Sequence, residues 1–196
     1  MYKITSRYLE KESFREKGHS GIDFAMPNGT ELRSIQNGEI IKIVDYHNLN
    51  IGKGILVQWE DGKVAIYGHL SRFNPDLQVG DKVNTGDLLG YSGNSGHVVG
   101  QNGGYHLHFG VKENGSVIDP SEYIQDIQNM NDPQYLANLQ SKSEAITQSS
   151  YSMFDMFKES SNIYNDLFQN LKLNLIYLID NSMLIHYFQH LLQLIS

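Results

Sequence analysis

Gly54-Ile55-Leu56-Val57-Gln58-Trp59-Glu60-Asp61-Gly62-Lys63-Val64-Ala65-Ile66-Tyr67-Gly68-His69 holds two runs of β-branched and aromatic residues joined by a short polar link. Such side chains suit a pleated, half-buried surface, and turn residues bound each run. Glu60-Asp61-Gly62-Lys63 reads as the hairpin turn, with Asp-Gly supplying the positive backbone dihedrals. Gly38-Glu39-Ile40-Ile41-Lys42-Ile43-Val44 is a third run of the same kind. Their close spacing predicts an antiparallel, mainly β domain with glycine-rich loops. It also puts His69 just past the end of a strand.

Two further elements flank this hairpin in sequence, His19-x-x-x-Asp23 and His106-Leu107-His108. Residues two or four apart on a strand point to one side, so two extended segments would aim all four side chains at a common point. Zinc accepts nitrogen and oxygen donors in tetrahedral geometry, and catalytic sites use three protein ligands. The three elements together offer two imidazoles and a carboxylate for one metal ion, with two imidazoles left for acid/base work. A lone His-x-His is a weak signal. Here all three elements occur together, each beside glycines (Gly18 and Gly21, Gly68, Gly103, Gly104 and Gly110) that permit close backbone approach.

At these residues the chain resembles the lysostaphin/LytM-type zinc endopeptidases of bacterial cell walls. The matching stretches are Gly18-His19-Ser20-Gly21-Ile22-Asp23 onward to Thr30, Tyr67-Gly68-His69-Leu70-Ser71, and His106-Leu107-His108-Phe109-Gly110. A fourth is Val79-Gly80-Asp81-Lys82-Val83 through Gly86-Asp87-Leu88-Leu89-Gly90 into Ser92-Gly93-Asn94-Ser95-Gly96. The likeness covers about residues 4–123. It implies a lysostaphin/LytM-like antiparallel β-sheet peptidase domain of the duplicated hybrid motif type. Carried over residue by residue, it implies one Zn2+ per chain held by His19, Asp23 and His108, with His69 and His106 as the catalytic histidines. Which of the two is the base stays open. The chain departs from the family in a longer link before His-Leu-His, His97 to Tyr105, expected to form an enlarged loop that alters the groove. His47 and His97 are expected to be solvated loop histidines.

Composition bounds the partners. A net charge of −7 with no basic stripe argues against nucleic acid. The absence of cysteine excludes disulfides and thiolate metal sites. Met1 to Tyr8 lacks the apolar stretch of a signal peptide, so a wall enzyme beginning here is expected to be virion-borne, otherwise delivered, or part of a longer protein.

All eighteen glycines lie at or before Gly115 and the last proline is Pro133, which divides the chain into a peptidase domain, 1–125, and a helical extension, 126–196. Asp132-Pro133 reads as a helix start, an N-cap followed by proline in the first turn. Apolar residues then recur at Leu136, Leu139, Ile146, Met153 and Phe157, and again at Tyr164, Phe168, Leu171, Leu175 and Leu178. Asp180-Asn181-Ser182 reads as a break and a new N-cap before an apolar run to Ile195. His186 and His190, four apart on that run, are expected to be buried or incidental rather than metal ligands. A spanning helix needs about 20 mostly apolar residues. Lys172, Asn174, Asp180 and Asn181 interrupt the best window, so helix–helix assembly is favoured over membrane contact. The extension is expected to self-associate or to dock on a phage tail or secretion machine.

The implied reaction is hydrolysis of a peptide bond in peptidoglycan, in the stem peptide or the cross-bridge. Two alternatives belong to other classes. One is a metallopeptidase-like scaffold or activator of another wall hydrolase, which would ordinarily have lost ligands. The other is a biotinyl- or lipoyl-type carrier hairpin, which would need a lysine at its tip and no metal set.

Overall fold

The computed structural model describes residues 1–11, 18–98 and 104–195. They form two compact units, Met1–Glu144 and Ala145–Ser196. In the first, eleven strands run in order: β1 (Lys3–Ser6), β2 (Ile22–Ala25), β3 (Glu31–Arg33), β4 (Gly38–Asp45), β5 (Lys53–Trp59), β6 (Val64–Gly68), β7 (Leu70–Phe73), β8 (Lys82–Val83), β9 (Leu88–Ser92), β10 (His106–Glu113) and β11 (Ser116–Ile118). One sheet has the order β1-β2-β10-β6-β5-β4-β8, with β11 added to β10, and a second has the order β3-β9-β7. Every pairing is antiparallel, so the mainly β expectation holds.

The leading hairpin forms as β5 and β6, with Val57 opposite Ala65. Its turn differs in one detail. Only Gly62 takes a positive φ, of 86°. Asp61 contributes its carboxylate instead, accepting the Lys63 amide at 3.0 Å. Beneath the sheets lies a core of Ile22, Phe24, Trp59, Tyr67, Leu107 and Phe109, all buried with their neighbours. β2 is buried on both faces, with Ile22 and Phe24 in the core and Asp23 turned the other way into the site.

After a 3-10 turn, α1 (Ile124–Asn129) and the start of α2 (Pro133–Ile195) finish this unit. Asp132 caps α2 as its sequence suggested, its carboxylate accepting the amides of Gln134 at 2.9 Å and Tyr135 at 3.3 Å. The boundary drawn at residue 125 runs through α1, and the unit extends past it. Ile127 and Met130 are fully buried in the β-core, and Gln140 donates to the Thr85 carbonyl at 2.6 Å. Glycine content marks loops, not the edge of a core, which is why it placed the boundary early. The expected break at Asp180-Asn181-Ser182 is absent, since α2 continues through it to Ile195. Polar residues there lower helix propensity by only tenths of a kcal/mol, which does not end a helix by itself. Among the described residues no helix is long and apolar enough to cross a membrane.

Candidate metal and catalytic site

β10 lies between β2 and β6, and that adjacency builds the site. His108 stands opposite Asp23 on one side and Gly68 on the other. His106 lies two residues earlier on the same face, opposite Ala25. Gly68 is required here. A Cβ on it would come within 2.9 Å of Ile51 Cβ and 3.4 Å of His108 Cβ. The next residue, His69, takes a φ of 63°, a left-handed conformation that costs a side-chain-bearing residue free energy. The chain holds it there with a hydrogen bond from the His69 amide to the Ile51 carbonyl at 2.8 Å.

His19 arrives differently from the expectation. It lies in the connection before β2, not on a strand, so period-two geometry does not place it. Gly18, at φ 74°, and the bend at Ser20 and Gly21 fold it back over Asp23. That bend packs directly on β10, where a Cβ at Gly21 would sit 2.4 Å from the Phe109 carbonyl oxygen.

Three donor atoms converge as a result. His19 Nε2 is 3.1 Å from Asp23 Oδ1 and 3.0 Å from His108 Nδ1, and His108 Nδ1 is 3.0 Å from Asp23 Oδ1. Bonds of about 2.0–2.1 Å in a tetrahedral arrangement need a donor separation near 3.3 Å, so the triangle is close to the size zinc takes. All three side chains are buried. Two imidazole nitrogens and a carboxylate oxygen, with no thiolate, form a borderline-hard donor set suited to zinc. The residues fit the ion.

The hydrogen bonds behind these donors fix which nitrogen is available. A carbonyl oxygen can only accept, so the nitrogen facing it carries the proton. His19 Nδ1 lies 3.2 Å from the Arg7 carbonyl and 3.0 Å from Ser6 Oγ, which leaves Nε2 unprotonated toward Asp23. His69 Nδ1 donates to the Ser95 carbonyl and His106 Nδ1 to the Gly104 carbonyl, each at 2.6 Å. Both Nε2 atoms therefore keep their lone pairs. His106 Nε2 is buried with no hydrogen-bond partner among the described residues, 3.8 Å from Asp23 Oδ1. The His69 and His106 rings stand 4.5 Å apart.

Electrostatics follow this arrangement. Burial acts to raise the Asp23 pKa, but the His108, His19 and His106 imidazoles packed around the carboxylate outweigh it and hold it well below the usual carboxylate range. Burial, helped by the His106 charge, pushes His69 down to about 3. Burial also lowers His108, against the pull of Asp23. The site thus favours an anionic Asp23 beside neutral His69 and His108.

A groove opens beside these groups, with Leu49, Asn50, Ile51 and His97 among its walls. His97 belongs there, and its amide donates to the Asn50 carbonyl at 2.9 Å, while its side chain is exposed as expected of a loop histidine. His47 is solvated, 88% exposed in its side chain. His186 and His190 are exposed on α2, not buried, and join no metal-sized cluster among the described residues. Of the long link before His106, residues 99–103 lie outside the described residues. Sequence reading missed Ser6 and the carbonyls of Ile51, Ser95 and Gly104. Its one available clue was the pair Gly52 and Gly96, whose backbones meet so closely that a Cβ on either would clash at 2.3 Å.

The model of peptidase family M23 matches residues 17–120, more than half of the chain. The chain belongs to peptidase family M23. Two curated relatives illustrate the likeness. An uncharacterized metalloprotease of Buchnera aphidicola is 33% identical over 123 residues, 61% of this chain and 31% of that one. The glycyl-glycine endopeptidase ALE-1 of Staphylococcus capitis is 38% identical over 92 residues, 46% of this chain and 24% of that one. The chain thus spans less than a third of the length of these relatives. Among solved structures, the catalytic domain of lysostaphin from Staphylococcus simulans superposes with a TM-score of 0.55 at 30% identity. That match covers 63% of this chain and 92% of the lysostaphin domain.

Proposed function

We propose that this M23 chain is a zinc-dependent endopeptidase that hydrolyses peptide bonds of bacterial peptidoglycan, in the stem peptide or the cross-bridge. The observation that carries the reading is the pairing of a buried His19–Asp23–His108 donor triangle with two histidines whose Nε2 lone pairs are kept free. Bound to that triangle, one zinc ion per chain supplies Lewis acidity, polarising the scissile carbonyl and acidifying water.

The chain's own residues handle the protons. One of His69 and His106 accepts a proton at Nε2 as water adds to the carbonyl carbon, forming the new C–O bond. The other, when protonated at Nε2, donates a hydrogen bond to the developing oxyanion. Cleavage of the C–N bond then returns the held proton to the leaving amine. The lowered pKa of His69 keeps it neutral near pH 7, the form that can accept a proton. Asp23 stays anionic and offsets positive charge at the centre.

The scaffold alternative finds no support in the site, because all five side chains are present and converge. The rest of α2, in the second unit, serves in this reading as an attachment element, docking the peptidase on a phage tail, another wall-penetrating machine or copies of itself. Large apolar side chains such as Phe157, Tyr164 and Phe168 stand 66–73% exposed there, and exposed apolar surface of this kind marks an interaction site. Digestion of two chemically different peptidoglycans, with mass spectrometry of the released fragments, tests the function. The expected products carry new amino termini at one type of peptide bond, and chelation abolishes them. Intact walls with the zinc-loaded protein would refute the enzyme.

A further inference from the structure

The α2 segment in the second unit carries a seven-residue repeat. With Phe157 as position a, later a positions fall in the sequence on Tyr164, Leu171, Leu178, Ile185 and Leu192. The d positions include Met153, Leu167, Phe188 and Ile195, broken by Ser160, Asn174 and Asn181. The charges respect the same frame. Asp155, Lys158, Glu159, Asp166, Lys172 and Asp180 are all the charged residues of this unit, and every one falls at b, c or f. His186 and His190 do so too. Eleven large apolar side chains of the unit are exposed among the described residues, and ten lie at a, d, e or g, Leu173 being the exception.

We infer that this helix pairs with the same helix of a second copy of the chain as a parallel, in-register coiled coil. A repeat of 3.5 residues sustained over about six heptads is the spacing that keeps one seam facing another helix as the two supercoil. A membrane surface asks for no such repeat and favours Lys and Arg on the polar face. Here that face carries two lysines among six charges. The e and g positions hold no charge, so the seam lacks the complementary charge code that selects a different partner helix.

The polar d residues fix the register. In a parallel pair each d position faces its own copy, so Asn174 meets Asn174, amide to amide. Sliding by one heptad sets Asn174 of one copy against Leu167 of the other and leaves a buried amide without its partner. The area suffices as well. Ten exposed side chains at on the order of 100 Å² each give roughly 2,000 Å² across two copies, at the upper end of a standard stable interface.

This inference deepens the attachment reading and is independent of catalysis, because its readout is mass and not activity. The full chain at tens of micromolar should sediment at twice its 22.3 kDa mass. Leu167→Asp with Leu171→Asp should return it to the single mass. The chain has no cysteine, so a single introduced thiol reports geometry directly. Ser160→Cys, at d, should cross-link to a disulfide dimer under mild oxidation, and Gln169→Cys, at f, should not. Equal cross-linking of the two variants, or an assembled Ser160→Cys protein that fails to cross-link, would overturn the parallel register. A monomer would overturn the pairing, and one that floats with anionic vesicles would give the seam to a membrane while leaving α2 an attachment element.

Discussion

Asp23 is the pivot of the site at the residue scale, because both His19 and His108 place a ring nitrogen within 3.1 Å of its Oδ1. Asp23→Ala should weaken zinc binding by more than about 100-fold, beyond what loss of an outer partner does. Ser6→Ala should weaken it by only about 10-fold, since the Arg7 carbonyl still accepts from His19 Nδ1. Titration against a zinc indicator checks both, and full affinity in the Asp23 variant would refute the ligand set. His69→Ala and His106→Ala should keep the metal and lose roughly 10²–10⁴-fold in turnover, the range of a general acid or base. Loss of zinc from either would exchange ligand for catalyst. The same residues set the acid limit of the metal-free protein. Folded His69 stays neutral down to about 3, against an ordinary histidine value of 6.5. Between these values the unfolded chain holds the extra proton, so stability falls as pH drops from about 6.5 toward about 3. Burial drives His108 the same way, and the depressed Asp23 pKa adds a further loss below the ordinary carboxylate value of 3.8. The melting temperature of the chelated protein should therefore fall steadily from pH 7 to pH 4, and a flat profile would mean these imidazoles are not held neutral.

Among the elements, β10 was the most legible. His106-Leu107-His108-Phe109 alternates with period two, and the strand sends the histidines to the site and Leu107 and Phe109 to the core. His19 was legible as a candidate ligand but not in its geometry. A bend across residues 18–21 depends on packing against β10, which lies nearly ninety positions away in the sequence. The loop 46–52 was legible only through Gly52, because it acts through the Ile51 carbonyl and main-chain atoms have no sequence signature of their own. Gly68→Ala tests that loop. The added methyl meets the Ile51 side chain, so the variant should lose about 1–3 kcal/mol of stability and turn over more slowly as His69 shifts. Denaturant unfolding with parallel rate measurements checks this, and an unperturbed variant would mean that Ile51 moves aside freely. The start of α2 was readable from a capping residue whose partners are local, whereas the continuation through Asp180 was not. A possible N-cap does not oblige a chain to turn.

For the whole molecule, the sequence separated a β-rich part from a helical one but misplaced the seam, because the burial of Ile127 and Met130 is a tertiary fact. A chain ending at Glu144 should keep fold, zinc and wall cleavage, and one ending at Gly115 should lose the core side chains of α1 and unfold. Circular dichroism and wall digestion distinguish the two, and a disordered 1–144 fragment would show that the rest of α2 is needed for folding. One trait of this architecture bears on how such an enzyme changes over generations. The tautomers of His69 and His106 are inherited from peptide carbonyls at Ser95 and Gly104, which no side-chain replacement can delete. Side-chain exchange in the loops that carry these carbonyls therefore leaves unchanged which ring nitrogen of His69 and His106 holds the proton. A library varied at Ser95, whose hydroxyl accepts the Lys53 amide at 2.9 Å, should lose stability before it loses the His69 tautomer.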